Sequence, residues 1–210
     1  MTREWILDTW RVRIIPQEEA STILLPVTGT HTGTIQPASV SPEVGSDAGG
    51  FLIASGERAG VRTADCMPLV ITTVQQALVL HISRKSLLRS ILDQVALSIS
   101  LPDIEYVWIG PHICEKHFGF EYEGEEIQQF TKLFPTAVER RKEKTYLSLR
   151  QAVGHYLEKW EILPEMIVDT NTCTYEGTLP SWRRWREENG DVKPFPQFVT
   201  VVEKLTDTAD

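Results

Sequence analysis

Alternating apolar and polar positions at the start of the chain predict a pair of β-strands. The apolar members of this alternation are Trp5, Leu7, Trp10, Val12 and Ile14. A second apolar run, at residues 23–27, predicts another strand. Residues 29–50 are rich in Gly, Ser, Thr and Pro. That composition predicts a loop with little regular structure.

Six further apolar runs predict strands in the rest of the chain. They lie at residues 51–54, 69–73, 77–81, 104–111, 164–173 and 195–205. Only a polar turn around Gln75 and Gln76 separates the second of these runs from the third. These two runs are therefore expected to pair as an antiparallel hairpin.

The spacing of apolar residues changes to a helical period in the middle of the chain. The residues that carry this period are Leu88, Leu92, Val95 and Ile99. They predict an amphipathic helix over residues 86–98, with Ser86 as its N-cap. Segments 123–134 and 147–160 are two more predicted helices, and 181–190 is predicted to be irregular or a short helix.

The order of these elements predicts the fold class. Strands and helices follow one another without a regular βαβ alternation. This order favours an α+β fold, or a mixed-sheet α/β fold. The chain has 210 residues, of which 41% are hydrophobic and 24% charged. This size and composition fit one globular domain, assigned to residues 1–210. No apolar run is long enough to cross a bilayer, so no membrane role is predicted.

The net charge and the cysteine count restrict the partners and the cellular compartment. A formal charge of -8 argues against nucleic-acid binding, which needs a basic surface, and favours a small-molecule or protein partner. The three cysteines cannot all pair within one chain. No basic region followed by an apolar core and a cleavage site opens the sequence. A cytoplasmic location with free thiols is therefore expected.

A cysteine and a histidine occupy facing ends of the predicted hairpin. Cys66 stands in "VRTADCMPLVITT", just before one strand, and His81 ends the next strand. Antiparallel pairing places these two ends side by side. If the loop that carries His31 folds over the same end of the sheet, two imidazoles and one thiolate can share an ion. This donor set suits zinc and leaves the fourth tetrahedral position open, as catalytic zinc sites do.

A simpler interpretation of the same residues remains open at this point. A cysteine beside an apolar strand is often a small core residue, and a histidine at a strand end is often only hydrogen-bonded. No short metal-binding motif such as His-Glu-x-x-His is present to decide between the two.

A series of motifs resembles a known family. In chain order they read "TADCMPLVI", "LVLH", "WIGPHI", "YLSL", "DTNTC" and "SWRRWREENG". This series resembles the YfiH-like laccase-domain family, also called the polyphenol oxidase or purine nucleoside phosphorylase family. The resemblance implies the fold of that family and a single zinc ion bound by His31, Cys66 and His81.

Three motifs depart from the pattern of that family. The first histidine usually stands in Gln-Val-His-Gly, whereas this chain has "GTHTG", and Thr28 is the rival position for His31. The usual His-Ala-Gly-Trp-Arg-Gly appears as "HISRKS", which keeps His81 but replaces both glycines and the tryptophan. Lys85 stands at the arginine position and keeps the charge without the bidentate fork. Where adjacent cysteines tend to follow the Gly-Pro pair of the family, this chain has "GPHICEKHFG", with His117 near that position.

The resemblance implies cleavage of purine nucleosides with phosphate as the acceptor, together with adenosine deamination. Cys66 would act as a catalytic metal ligand, and Asp65 would orient a ligand or act as a base, with a turn or capping carboxylate as its alternative role. Arg62 and Lys85 would hold phosphate, and solvated surface charge is the alternative for both. The remaining cysteines, together with His112 and His155, are assigned structural roles.

Two other functions compete with this interpretation. Two imidazoles and a thiolate resemble a mononuclear copper site, so a copper-dependent polyphenol oxidase is one alternative. A four-copper laccase would need more histidines than the five present. The altered "HISRKS" motif makes a non-catalytic metal-binding or partner-binding protein the other alternative. A monomer or a small homo-oligomer is expected in each case.

Overall fold

Fourteen strands and six α-helices occur in the described part of the chain, which is residues 2–22, 27–40, 47–121 and 124–205 of a computed structural model. The strands are β1 (Arg3–Leu7), β2 (Trp10–Pro16), β3 (Val27–Thr28), β4 (Ile35–Pro37), β5 (Gly50–Ile53), β6 (Arg58–Thr63), β7 (Met67–Thr72), β8 (Ala77–Ile82), β9 (Tyr106–Ile109), β10 (Gly119–Phe120), β11 (Val138–Arg141), β12 (Lys144–Leu147), β13 (Ile167–Asp169) and β14 (Phe198–Lys204). The helices are α1 (Gln17–Thr22), α2 (Arg84–Leu88), α3 (Val95–Ser98), α4 (Glu125–Leu133), α5 (Leu149–Lys159) and α6 (Trp182–Asn189).

A mixed sheet of six strands forms the centre of the molecule, in the order β13-β9-β7-β8-β5-β4. The predicted hairpin is present as β7 and β8, and all residues of both strands are buried. Successive side chains of a strand point to opposite faces, and here both faces are apolar. Leu78 and Leu80 pack toward one hydrophobic cluster, whereas Val79 packs toward another. The central sheet therefore lies between two packed layers.

One of these layers is a second sheet, with the order β1-β2-β14-β6-β3. The predicted N-terminal strand pair is β1 and β2, and β14 pairs with β2 and β6. Strands from both ends of the chain thus belong to one sheet. Trp10 and Phe51, both fully buried, lie in the cluster between the two sheets. The predicted mixed-sheet α/β single domain is confirmed.

The other layer consists of helices and a small third sheet. The helices cover the second face of the central sheet, where Ile127, Phe130 and Leu157 join the larger hydrophobic cluster. Strands β10, β12 and β11 form the third sheet. Among the described residues α5 is the longest helix, with 11 residues. No helix in this part of the chain has the length and apolar character needed to cross a membrane.

The helix expected over residues 86–98 was wrong in its start and in its continuity. It begins at Arg84, because Ser83 is the N-cap and forms a capping box with Ser86. It stops after Leu88, and Ser90 adopts a left-handed φ of 58° that a continuous helix cannot contain. The regularly spaced apolar side chains beyond this point are still buried, but turns and the short helix α3 carry them.

Several strands were not predicted. The strand β6 contains Gly60 and two arginines, so its apolar alternation is weak, yet it pairs with β14 along its whole length. The β11–β12 hairpin is charged and mostly exposed, which removes the apolar signal. The strand β4 forms within the predicted loop 29–50. Residues 41–46 of that loop lie outside the described residues, and so do residues 23–26 of the second apolar run. The segment 181–190 contains the helix α6.

Candidate metal centre

Cys66 lies at the start of the central hairpin. It follows Asp65, which adopts a left-handed φ of 83° and turns the chain from β6 into β7. In the antiparallel register Pro68 faces His81, so the thiol and the imidazole meet at one end of the sheet. The hairpin geometry predicted from the sequence is present.

His31 completes a group of three. One ligand atom each from His31, Cys66 and His81 lies within 4.8 Å of the others. The two imidazole rings are 4.9 Å apart between centroids and meet edge to face. The structure thus brings together the three ligands expected from the sequence. The rival position, Thr28, instead donates its hydroxyl to the carbonyl of Ala48.

Contacts with both ends of α2, the N-cap Ser83 and the C-cap Arg89, position the loop that carries His31. Nδ1 of His31 is 2.9 Å from Oγ of Ser83, and Arg89 donates to the His31 carbonyl at 2.7 Å. A hydrogen bond to Nδ1 leaves Nε2 available as a ligand atom. A Cβ at Gly33 would lie 2.0 Å from the carbonyl oxygen of Arg89, so only glycine allows this close approach. The serine that replaces a family glycine therefore both caps α2 and orients His31.

The electrostatic environment favours the neutral form of both imidazoles. Burial, with a contribution from His31, lowers the pKa of His81 to about 3. Burial and the positive charges of Lys85 and Arg89 lower the pKa of His31. Both ring nitrogens of His81 are buried, and neither has a hydrogen-bond partner among the described residues. An unpartnered buried imidazole is costly in a protein interior, and a metal ion satisfies it.

The thiol of Cys66 fits the same interpretation. Burial, reinforced by the carboxylate of Asp65, raises the pKa of the Cys66 thiol to about 12. Without a metal the thiol therefore stays protonated at neutral pH and is a poor nucleophile. Coordination displaces the proton of a thiol, so Cys66 is suited to the role of a ligand. Two neutral imidazoles and one thiol form a donor set that binds zinc or copper.

The three ligands open into a cavity of about 410 Å³. This volume lies within the range of small-molecule sites. Its other walls come from distant parts of the chain and are mainly aromatic, apolar and cationic. They include Ser83, Arg84, Lys85, Ile113, Phe118, Phe120, Leu149, Trp182, Arg183, Phe195 and Gln197.

Three of the lining residues are cations. Lys85, a predicted anion ligand, lies at the exposed rim. The guanidinium of Arg84 forms an ion pair with Glu126 and lies 4.8 Å from the ring centroid of Phe120. Arg183 lies 5.5 Å from the same centroid and donates to the carbonyl of Gly119 at 2.9 Å. An anion that enters beside the ligand group therefore meets positive charge on several sides.

A family model described as multi-copper polyphenol oxidoreductase laccase matches residues 19–194, most of the chain. The chain belongs to this family. The resemblance inferred from the motifs is thus confirmed. No curated protein matches the chain.

Solved structures share the laccase-domain fold at low sequence identity. Neisseria meningitidis protein NMB0706, of the DUF152 family model, superposes with a TM-score of 0.77 at 16% identity, covering 98% of this chain and 99% of that one. YlmD from Geobacillus stearothermophilus gives 0.74 at 15% identity, covering 95% and 93%. The hypothetical protein YfiH from Bacillus licheniformis gives 0.70 at 18% identity, covering 90% and 78%. At these identities the likeness shows the fold.

Asp65 of this laccase-domain protein is fixed by two hydrogen bonds. Its Oδ1 accepts from the hydroxyl of Thr174 at 2.7 Å, and its Oδ2 accepts from the backbone N–H of Arg183 at 2.7 Å. The carboxylate contacts the N-terminal end of α6, where the helix dipole favours a negative charge. These contacts are those of the alternative role, a turn and capping carboxylate, and they position Arg183 at the start of α6.

The other predicted residues divide between the cavity and the scaffold of the laccase domain. Arg62 is half-buried in β6 beside Gly29 and is not brought to the cavity wall that the described residues form. The neighbouring Arg184 belongs to the scaffold, because its guanidinium donates to four backbone carbonyls of the segment 174–179. His112 has a structural contact, with Nδ1 2.8 Å from the carbonyl of Gly110.

Sequence reasoning missed most of the aromatic wall of this laccase-domain cavity. Phe118 and Phe120 lie next to "GPHICEKH", so the quoted motif was the available signal. Trp182 is 36% exposed and lines the cavity. Phe195 and Gln197 lie in the run 195–205 that was predicted to be a strand, but β14 begins only at Phe198 and leaves both residues in the segment that lines the cavity.

Proposed function

We propose that this chain is a zinc-dependent purine nucleoside phosphorylase that also deaminates adenosine. Its substrates would be small molecules, a purine nucleoside and phosphate, as the motif resemblance implies. The observation that carries the proposal is the convergence of His31, Cys66 and His81 in one cavity with three cations and an aromatic wall. Each feature serves a different part of the reaction.

Phosphorolysis places two demands on the protein side chains. A phosphate oxygen forms a bond to C1′ of the ribose while the bond from C1′ to the purine nitrogen breaks. The electron pair of that bond leaves with the base, which takes up a proton, and the products are ribose 1-phosphate and free purine. The site must therefore hold an anion next to C1′ and keep bulk water away from it. In deamination, water adds to the purine ring and ammonia leaves.

Cationic side chains supply the first requirement. Lys85 and Arg183 line the cavity and would bind phosphate, with Arg84 held near them through Glu126. Asp65 fixes the backbone of Arg183 and thereby positions that guanidinium. Arg62, outside the cavity wall, would affect phosphate only through the field it adds. Positive groups of this kind hold the attacking phosphate beside C1′.

Aromatic side chains supply the second requirement. Phe118 and Phe120 pack edge to face, with centroids 5.1 Å apart, beside the metal ligands. Trp182 and Phe195 add apolar surface at the cavity. A flat purine fits against such walls. A zinc ion held by His31, Cys66 and His81 would supply Lewis-acid activation of the oxygen nucleophile.

Copper-dependent oxidation of phenols is the second candidate. The description of the matching family names copper, and a set of two histidines and one cysteine is also typical of mononuclear copper sites. The chain contains only five histidines, too few for a four-copper laccase. A non-catalytic metal-binding descendant is the third candidate, because the "HISRKS" motif departs from the usual family motif.

Metal analysis combined with an activity assay tests the proposal. Untagged protein purified without added metal is analysed for zinc and copper. It is then assayed for phosphate-dependent release of free base from inosine and adenosine, and for phenol oxidation. Bound zinc with phosphorolysis supports the proposal. Copper with phenol oxidation supports the second candidate, and the absence of both activities supports the third.

Matched variants connect the activity to the ligands. Cys66→Ala and His81→Ala should each remove one equivalent of bound metal per chain and abolish turnover while the fold persists. His155→Ala is the matched control, because this histidine is exposed on α5 and belongs to neither group of metal-ligand side chains among the described residues. Full metal content and turnover in Cys66→Ala would exclude the ligand set.

We further propose a monomer or small homo-oligomer in the reducing cytoplasm, where the three free thiols would persist.

A further inference from the structure

A second cluster of metal-ligand side chains lies on two neighbouring turns beside the cavity. Sγ of Cys114, a ring nitrogen of His117 and a carboxylate oxygen of Glu176 all lie within 4.8 Å of one another. The proposed reaction uses none of these residues. The sequence had assigned Cys114 a purely structural role, so the cluster calls for an explanation of its own.

Cys173 precedes Glu176 on the second turn but is not one of the three residues whose ligand atoms lie within 4.8 Å of one another. The two turns nevertheless carry pairs with the same spacing. Cys114 and His117 are separated by two residues, and so are Cys173 and Glu176. Each pair spans one tight turn, closed by hydrogen bonds of 3.0 Å from His117 N to Cys114 O and from Gly177 N to Cys173 O. Structural zinc sites commonly take their ligands from such short pairs on two turns.

Backbone contacts hold the two turns against each other. His112 and Cys173 form an isolated parallel bridge, and Thr174 N donates to His112 O at 3.0 Å. The backbone N–H of Cys114 donates to Sγ of Cys173 at 3.3 Å. The sulfur of the second pair therefore already touches the first turn.

The ring of His117 is fixed in place although it is partly exposed. It stacks on Tyr175 with centroids 4.1 Å apart and planes 16° apart, and its Nε2 is 2.9 Å from Oε1 of Glu176. The hydroxyl of Tyr175 is in turn bound to Glu187 at 2.6 Å. Surface side chains normally keep their rotamer freedom, which costs free energy to remove. Such pre-orientation is characteristic of metal-ligating histidines.

We infer that Cys114, His117 and Glu176 bind a zinc ion, with Cys173 as the fourth ligand, in a structural site separate from the His31 group. Four protein ligands close the coordination shell, so this site would hold the two turns together and leave no position for substrate. Ile113 and Phe118 flank the first turn and line the cavity. The second ion would therefore stabilise one wall of the cavity. This inference does not depend on the proposed function.

Cobalt binding to the Cys66→Ala variant tests the second site in isolation. The remaining ligands of the first site are then histidines, so a thiolate-to-cobalt charge-transfer band can come only from Cys114 or Cys173. Untagged, reduced variant protein is titrated with Co²⁺ alone. One equivalent should bind with this band, and zinc should displace it.

Further substitutions in that background assign the ligands. Adding Cys114→Ala or Cys173→Ala should each weaken the band, since one thiolate ligand remains, and adding both should abolish it. Adding His117→Gln should weaken cobalt binding by at least about tenfold, since loss of an outer-shell partner alone costs that much. Adding His155→Gln should change nothing. Circular dichroism confirms that each variant is folded, and His117 is a safe position because its side chain is 29% exposed.

Several results would overturn the inference. One is the absence of a thiolate band in the folded, reduced Cys66→Ala variant. Another is a band that survives His117→Gln with unchanged affinity. A third is a disulfide between Cys114 and Cys173 in protein purified without reductant, seen as one free thiol in the wild type instead of three. Loss of phosphorolysis in Cys66→Ala bears only on the proposed function.

Discussion

Substitution of Asp65 separates a positioning role from a role as a base. The side chain is 6% exposed and accepts two hydrogen bonds, from Thr174 and from the backbone of Arg183. Hydrogen bonds to a charged group contribute about 1.5–3 kcal/mol each. Alanine tolerates the left-handed φ of 83° less well than aspartate does, which adds about 1 kcal/mol to the cost of the substitution. Asp65→Ala should therefore lower the free energy of unfolding by about 3–5 kcal/mol, after allowance for non-additivity.

Asp65→Asn is the matched variant. Asparagine tolerates the left-handed backbone, and its carbonyl oxygen can still accept from Arg183 N. The hydroxyl of Thr174 can rotate and accept from the new amide group, so only the charge assistance is lost. We expect a loss of about 1–2 kcal/mol in the free energy of unfolding. Thr174→Val, which removes a single partner of the carboxylate, should cost a similar amount.

Urea unfolding of the metal-free protein, followed by tryptophan fluorescence, measures these differences without a contribution from bound metal. Turnover is measured on the metal-loaded variants. A positioning role predicts partial turnover in Asp65→Asn, because Arg183 stays in place. Wild-type stability with abolished turnover in Asp65→Asn would refute this reasoning and identify the carboxylate as a base. An unchanged unfolding midpoint in Asp65→Ala would refute the predicted loss in the free energy of unfolding.

Three further substitutions test other parts of the site. Arg184→Ala should lower the free energy of unfolding by about 2–4 kcal/mol, because four backbone carbonyls lose their donor. A urea-unfolding midpoint within error of wild type would contradict this prediction. Gly33→Ala should displace the loop that carries His31, since the new Cβ would lie 2.0 Å from the Arg89 carbonyl oxygen. Metal analysis of the folded variant should show reduced metal content, and full metal content would contradict this prediction. Lys85→Met should raise the KM for phosphate about tenfold or more with a smaller effect on the KM for inosine, and an equal rise in both constants would argue against an anion contact.

The sequence determined those parts of the fold and site that depend on neighbouring residues. The hairpin of β7 and β8 follows from two apolar runs and a short turn, and that hairpin alone brings Cys66 next to His81. The third ligand, His31, needed the family resemblance, because its loop has no period that fixes where it folds. The helix boundary was wrong, since the capping box of Ser83 and Ser86 outweighed the apolar spacing.

Only the tertiary structure decided the roles of residues whose partners are far away in the chain. Asp65 contacts Thr174 and Arg183, which are 109 and 118 positions distant, so no local pattern could show which helix its carboxylate caps. The same holds for the pairing of β6 with β14, for the aromatic wall and for the cluster around Cys114. Short-range spacing fixes which face of a strand or helix is buried, whereas the juxtaposition of distant segments depends on the packing of all layers at once.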